Sequence, residues 1–394
     1  MTYPTTDGSN GHRQPSMAYD AGRDLGKIPL PLLADQPEQW VDFGKEGTGY
    51  YEAAAKILAA AEADGERTDL GVGDLSSWAF GPHPETGNAS LATIPLPGRE
   101  RHMIPLRAHG FSQLCSRVGA PPQYIAKLPG KLQMACVNHG MRAGEKSGTI
   151  RMANGEARAL LSDRYAPLDD NLVLEVLEHT LSAAGMLGDV VVRSAAVGRT
   201  TALRLTIPSD RVVIGRDAKV GDIVECGLDL LNGEIGNRAV SITPITWILS
   251  CLNGMRRADR EVSARLRHVG DPKRLEEAFR DAVPAALAAS QGLRKRMEKA
   301  VDRMVDDLLE EFDGLRAFGL SAPETRDVAR DVMAHRQIAL PDSTDDWGSA
   351  MAEIRDVNVY EVMNGVTHVA QTRGTDRRLG MEETAAKYLY RRTA

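Results

Sequence analysis

The chain is 394 residues long, 42% hydrophobic, 26% charged and 5% aromatic, with a formal net charge of −6 at pH 7. That length buries a sizeable core and suits two domains, and the composition is neither fibrous nor broadly disordered. No apolar run approaches the roughly 20 residues of a membrane-spanning helix, and the negative balance leaves any affinity for nucleic acid to a local basic patch.

Residues 1–45, rich in Gly, Pro, Asp and small polar residues, read as a mobile arm outside the core. They show no basic start followed by an apolar stretch, so no secretory signal is read and a cytoplasmic location is expected. Tyr50 to Ala63 is made almost wholly of helix formers. Between Phe111 and Met141 the apolar spacing, punctuated by Gly119 to Pro122 and by Pro129-Gly130, predicts three short helices. Two strand-like runs then flank Asn154-Gly155, a pair that tolerates the positive φ of a tight hairpin turn. After Asp169 or Asp170, either able to cap a helix, Leu172, Leu174, Val176, Leu177 and Leu181 predict an amphipathic helix.

Strand-like runs follow at Val190 to Arg193, Thr200 to Ile207, Asp222 to Leu231 and Ala239 to Thr243, suggesting an antiparallel sheet. Pro244 to Gly254 reads as a buried helix, with Pro in its first turn and Gly254 as its stop. From an Asp271-Pro272 start, a helical stripe runs from Leu275 to Phe312 with a kink at Pro284. Ser321 to Glu324 resembles a capping box, and two more helices are expected over 357–372 and 381–390. Strands in one block and helices in another indicate an α+β fold, an antiparallel sheet with helices packed on it and a helical C-terminal region. The expected division is an arm (1–45), a core (46–270) and the helical region (271–394). No internal repeat is visible.

Local signatures of catalysis are missing. Gly22 to Ile28 has the wrong spacing for a phosphate-binding loop, no Gly-x-Ser-x-Gly elbow occurs, and the nine histidines form no H-E-x-x-H or comparable pair. Cys115, Cys136, Cys226 and Cys251 are scattered, without a C-x-x-C, and read as buried thiols. No cofactor and no metal are expected. The acidic run Asp306 to Asp313 reads as a solvated helix face around a buried stripe of Leu308, Leu309 and Phe312 rather than as a cation site. The best anion-binding candidate is the basic stretch Arg256-Arg257, Arg260, Arg265, Arg267-His268 and Lys273-Arg274, because guanidinium groups bind two phosphate oxygens at once. Pairing of these arginines with acids elsewhere weighs equally.

Three stretches resemble a phage/plasmid-like family called domain of unknown function 932: Ala159 to Asn171 with Tyr165 and Asp169, Gly227 to Gly236 running on to Met255, and Arg267 to Gly270. The tail Val357 to Ala370 resembles the same family's C-terminal segment, so the likeness spans about 105–390. This chain has Asn232-Gly233-Glu234 where that family has Asn-Ser-Glu. The order of hairpin, Gly-Glu turn, helix and Arg pair is also similar to Rad-type single-strand annealing proteins.

The resemblance implies a mobile-element setting and a strand-annealing protein that grips the backbone of single-stranded DNA. Arg238, Arg256 and Arg257 would carry it, joined by Arg164, Arg265, Arg267 and Lys273. Such a protein works as a homo-oligomer and needs no cofactor. Within Ser162 to Tyr165, Arg164 can reach phosphate and Tyr165 can stack on a base, or Asp163 and Arg164 can pair while Tyr165 packs at a strand end. The alternatives are a regulatory protein binding a protein partner through its C-terminal helices, and an enzyme of unrecognised type.

Overall fold

The computed structural model describes residues 26–30, 39–93, 103–143, 147–213, 223–248, 253–256, 264–352 and 354–394. Most of the expected arm, together with Arg257, Arg260 and Cys251, lies outside the described residues. The fold is α+β with antiparallel sheets, as the sequence indicates. Two compact units emerge, a smaller one built around Asp64–Arg164 and a larger one of Gln36–Ala63 with Tyr165–Ala394.

The chain begins the larger unit with β1 (Gln39–Asp42) and α1 (Tyr50–Ala63), the latter at the bounds its helix formers predict. It then builds the smaller unit from β2 (Arg67–Val72), β3 (Trp78–Pro82), β4 (Ala89–Thr93), β5 (Met103–Pro105), α2 (Ala108–Val118), α3 (Pro122–Ile125), α4 (Gly130–Arg142), β6 (Gly148–Ala153) and β7 (Glu156–Ser162). Two three-stranded antiparallel sheets, β2-β6-β7 and β3-β4-β5, share an apolar core that includes Phe80, Leu91, Phe111, Leu114 and Ile150. The three helices match the sequence reading. So does the hairpin, whose turn residues Asn154 and Gly155 have φ of 49° and 74°. Strands β2 to β5 have no counterpart in that reading, because all four are short and Gly71, Gly81 and Pro82 interrupt the period of two in β2 and β3.

The larger unit resumes with α5 (Asp170–Ala183), β8 (Val191–Val197), β9 (Thr201–Val213), β10 (Ile223–Gly233), β11 (Arg238–Ile248), β12 (Asn253–Arg256) and β13 (Ala264–Leu266). The sheet runs β1-β8-β9-β10-β11, and both β12 and β13 pair with β11. One face is apolar: Leu203, Leu205, Leu228, Leu230, Val240 and Ile242 pack with Tyr50, Ile57, Leu177, Phe279 and Val283 of the covering helices. Burying such alternate positions is what orients the sheet, at about 25 cal/mol per Å² removed from water.

Among the described residues, six α-helices complete the chain: α6 (Pro272–Asp302), α7 (Leu308–Gly314), α8 (Ala322–His335), α9 (Trp347–Ala352), α10 (Val359–Ala370) and α11 (Thr375–Arg392). Two of the expected caps are present: Asp271 accepts from the Lys273 amide, and Ser321 with Glu324 forms a capping box; at α5 Asp169 holds the N-cap position without a side-chain cap hydrogen bond. The C-terminal helices bury Met297, Phe312, Val328, Met363 and Tyr388 in a core of their own that also takes in Ile248 and Met255.

Four expectations are corrected. The described residues of Pro244 to Gly254 are strand, not helix: Pro244 lies inside β11, opposite Leu228, and Asn253-Gly254 opens β12. The β-branched residues around it favour a strand. Pro244 falls between the stretches paired by β13 (up to Ile242) and by β12 (from Ile245), where no ladder bond is asked of it on that side. The long C-terminal helix does not reach Phe312. Pro284 lies within α6 without ending it, and the helix stops at Asp302, after which the Val305 amide donates to the Val357 carbonyl at 2.8 Å and the Val359 amide to the Arg303 carbonyl at 2.9 Å. These exchanges satisfy the backbone groups that helix would have used, and Asp307 caps a new start by accepting from the Glu310 amide. In α7 Leu309 is 45% exposed, outside the buried stripe. Finally, not all the thiols are buried. Cys115 and Cys226 are, and burial pushes the Cys115 thiol up to about 12, but Cys136 is exposed.

Candidate functional site

The second face of the large sheet is polar and nonetheless buried. Arg204 of β9 stands directly opposite Asp229 of β10, and its Nε donates to Asp229 Oδ1 at 3.2 Å. From α11, Glu382 takes the other side of the same guanidinium, accepting from Arg204 Nη1 at 2.9 Å and also from Nη2. Arg256 of β12 pairs with Asp229 and donates to Glu383 at 2.9 Å, while Arg378 donates to Glu382 at 3.2 Å. Three arginines and three carboxylates therefore balance. The Trp40 ring lies 4.7 Å from Arg204 and 4.6 Å from Arg378. Burial alone would pull the Arg204 guanidinium down, but the Glu382 and Asp229 carboxylates outweigh it and hold it above its ordinary range. Burial, together with the charge of Arg204, lowers that of Arg378.

At the end of the sheet next to the β10–β11 turn, residues from the three stretches singled out in the sequence meet. Asn232 Nδ2 donates to the Leu168 carbonyl and to Asp170 Oδ1, both at 2.9 Å, and Thr201 Oγ1 donates to Asp170 Oδ2 at 2.6 Å. The Asp170 amide donates to Glu234 at 2.9 Å, and the Tyr165 hydroxyl to the Glu234 carbonyl at 2.6 Å. The Tyr165 ring stacks on His268 with centroids 5.3 Å apart, and the Ala166 amide donates to the His268 carbonyl at 3.0 Å. The buried polar residues of these stretches thus tie the start of α5 to the turn and to the segment after β13. Tyr165 packs here as a structural ring, one of the two roles its sequence context admits.

The expected DNA-contacting residues fall into distinct settings. Arg256 is only 2% exposed and spent on Asp229 and Glu383, so its charge is neutralised inside the protein. Arg238 pairs with Asp376, its side chain 22% exposed. Arg257 lies outside the described residues. Arg265, on β13 opposite Ser241, is exposed, as are Arg267, Lys273 and Arg274 beyond it, and none of their side chains is ion-paired among the described residues. Beside β13, among the described residues, no strand pairs on the side away from β11. Arg164 is exposed and belongs to the smaller unit; Asp163 there accepts from Ser147 rather than from Arg164. In the acidic run, Asp307 caps α7 and Glu311 accepts from Tyr388 and Arg392.

One grouping was not anticipated from sequence: Asp331, His335 and His368 come together from α8 and α10. The only local trace was Asp331-x-x-x-His335, a spacing that puts two ligand types on one helix face. The third member lies 33 residues further along the chain. Compared with known proteins, the chain matches no family model, no curated protein and no solved structure.

Proposed function

We propose that this protein binds single-stranded DNA, as a strand-annealing protein of a phage or plasmid-like element, and that the contact is made by Arg265, Arg267 and Lys273. The observation that carries the reading is the open edge at β13: exposed cationic side chains without acidic partners among the described residues, following directly on the junction where the likeness-bearing stretches meet. Unpaired guanidinium groups are free to exchange counterions for phosphates, which is the main source of sequence-independent affinity. Arg256 is excluded from the contact, since removing it from Asp229 and Glu383 would leave the buried Asp229 carboxylate with Arg204 alone and unbalance the cluster. Arg238 can join at the margin by giving up Asp376, itself well exposed. Function as a homo-oligomer, which would keep a bound strand extended, belongs to the same proposal.

The test is fluorescence anisotropy with labelled single- and double-stranded oligonucleotides over a salt series. The reading expects salt-sensitive preference for the single strand, weakened about tenfold or more by the combined change Arg265→Ala, Arg267→Ala and Lys273→Ala. Absence of binding at low salt sinks it. Undiminished binding by a folded triple variant that has become prone to aggregate would assign these side chains to guarding a sheet edge instead.

A further inference from the structure

Asp331 and His335 lie one turn apart at the end of α8, and His368 sits in the last turn of α10. The two helices approach closely at Gly365, where a β-carbon would stand 2.5 Å from Val332 Cγ2. Valine is stiff about χ1 and cannot swing away, so the absent side chain at 365 sets the spacing of this crossing. His368, three residues beyond Gly365, is thereby brought against Asp331, the neighbour of Val332 in the chain.

The geometry is convergent. His368 Nδ1 lies 2.6 Å from Asp331 Oδ1, and His335 Nδ1 lies 2.8 Å from the Asp331 backbone carbonyl oxygen and 3.5 Å from Oδ2. The two imidazole rings are 5.1 Å apart and nearly perpendicular, at 84°. One ligand atom from each of the three residues lies within 4.8 Å of the others. Asp331 Oδ2 is buried and accepts no hydrogen bond, an acceptor held out of water without a donor. Arg336 and Arg373, just past the ends of these helices, are already occupied, by Glu361 and Asp327 respectively.

Two imidazoles and one carboxylate form a donor set for Zn²⁺ and its imidazole-preferring neighbours, whereas Mg²⁺ and Ca²⁺ favour all-oxygen shells. Metal–ligand bonds of about 2.0–2.1 Å place tetrahedral donors roughly 3.3 Å apart. Reaching that spacing requires the two rings to turn, and side-chain exposures of 49% for His335 and 40% for His368 leave room for this. We propose that Asp331, His335 and His368 bind one divalent transition-metal ion of the Zn²⁺ type, joining α8 to α10, with water in the remaining position. The ion would take up the carboxylate oxygen that accepts no hydrogen bond and clip together two helices whose connection runs through more than twenty residues.

The test is isothermal titration calorimetry of the full chain, freed of metal by chelator, with ZnCl₂, paired with the visible absorption of the Co²⁺ form. One equivalent per chain is expected. Affinity should fall about tenfold or more in His335→Ala, a change at a half-exposed position that opens no core cavity, and the Co²⁺ bands should be lost in His368→Gln. Absence of stoichiometric Zn²⁺ binding overturns the proposal. So does one-equivalent binding of unchanged affinity in the His335→Ala/His368→Gln double variant, with its fold checked by circular dichroism. No nucleic acid enters these measurements, so the outcome is independent of the DNA-binding reading.

Discussion

Glu382 reaches from α11 into the interior of the large unit, where its side chain is only 1% exposed, and meets both Arg204 and Arg378. A buried carboxylate in this position has little net value compared with well-packed apolar groups, but its loss leaves two guanidinium groups without their main counter-charge. Glu382→Ala should therefore destabilise the protein by about 3–5 kcal/mol, read from urea denaturation midpoints. Joint replacement of Arg204 by Met and Glu382 by Leu should recover part of that loss. A cost for Glu382→Ala within the range of ordinary surface changes would mean that the cluster is relaxed by water and does not hold α11 to the sheet. The same accounting explains Arg256, whose expected role in contacting DNA conflicts with its role in balancing Asp229.

At the scale of elements, α8 shows how local and distant forces combine. Ser321 and Glu324 form the capping box visible in the sequence, and the Ser321 amide donates to Glu324 at 2.8 Å. Arg377 of α11 adds a second pair of bonds to the same carboxylate, one of them at 2.6 Å. Its hydrogen bonds, and then those from Ser321, outweigh burial and lower the Glu324 carboxyl from its ordinary 4.5 to about 2. A depressed carboxyl stabilises the fold fully above its unfolded value and ceases to do so as pH falls through its folded value. The stability gap between the protein and Glu324→Gln should therefore be constant near neutrality, shrink below about pH 4.5 and vanish near pH 2. Urea midpoints measured at several pH values check this, and a gap that does not change with pH would remove Arg377 from the account. The cap itself was legible because its bonds span three residues. Arg377 was not, because it lies 53 residues away.

For the whole molecule, a net charge of −6 opposes binding to a polyanion except where cations gather. Three phosphate contacts by Arg265, Arg267 and Lys273 imply a slope of log K against log salt of about −2, from roughly 0.7 per contact on a single strand. Each removed side chain should flatten that slope by about 0.7. A much steeper slope would show that cations beyond the β13 edge take part, with Arg164 and Arg274 the next to change, both exposed and unpaired among the described residues.

The α+β class, α1, the Asn154-Gly155 hairpin, four of the seven strands of the large sheet and the caps at Asp271 and Ser321 were all determined by sequence alone. Each rests on propensity, periodicity or a bond between residues a few positions apart, and such signals survive in a linear string. Tertiary structure decided that Pro244 belongs to a strand, because the pairing of β11 on both sides outweighs a local helix-start signal. It also decided which charges meet. Among 48 basic and 54 acidic residues, nothing local selects Glu382 for Arg204, 178 positions away, or His368 for Asp331, 37 positions away. Coulomb attraction carries no address, and only the packing of α11 on the sheet and of α10 on α8 brings those partners within reach.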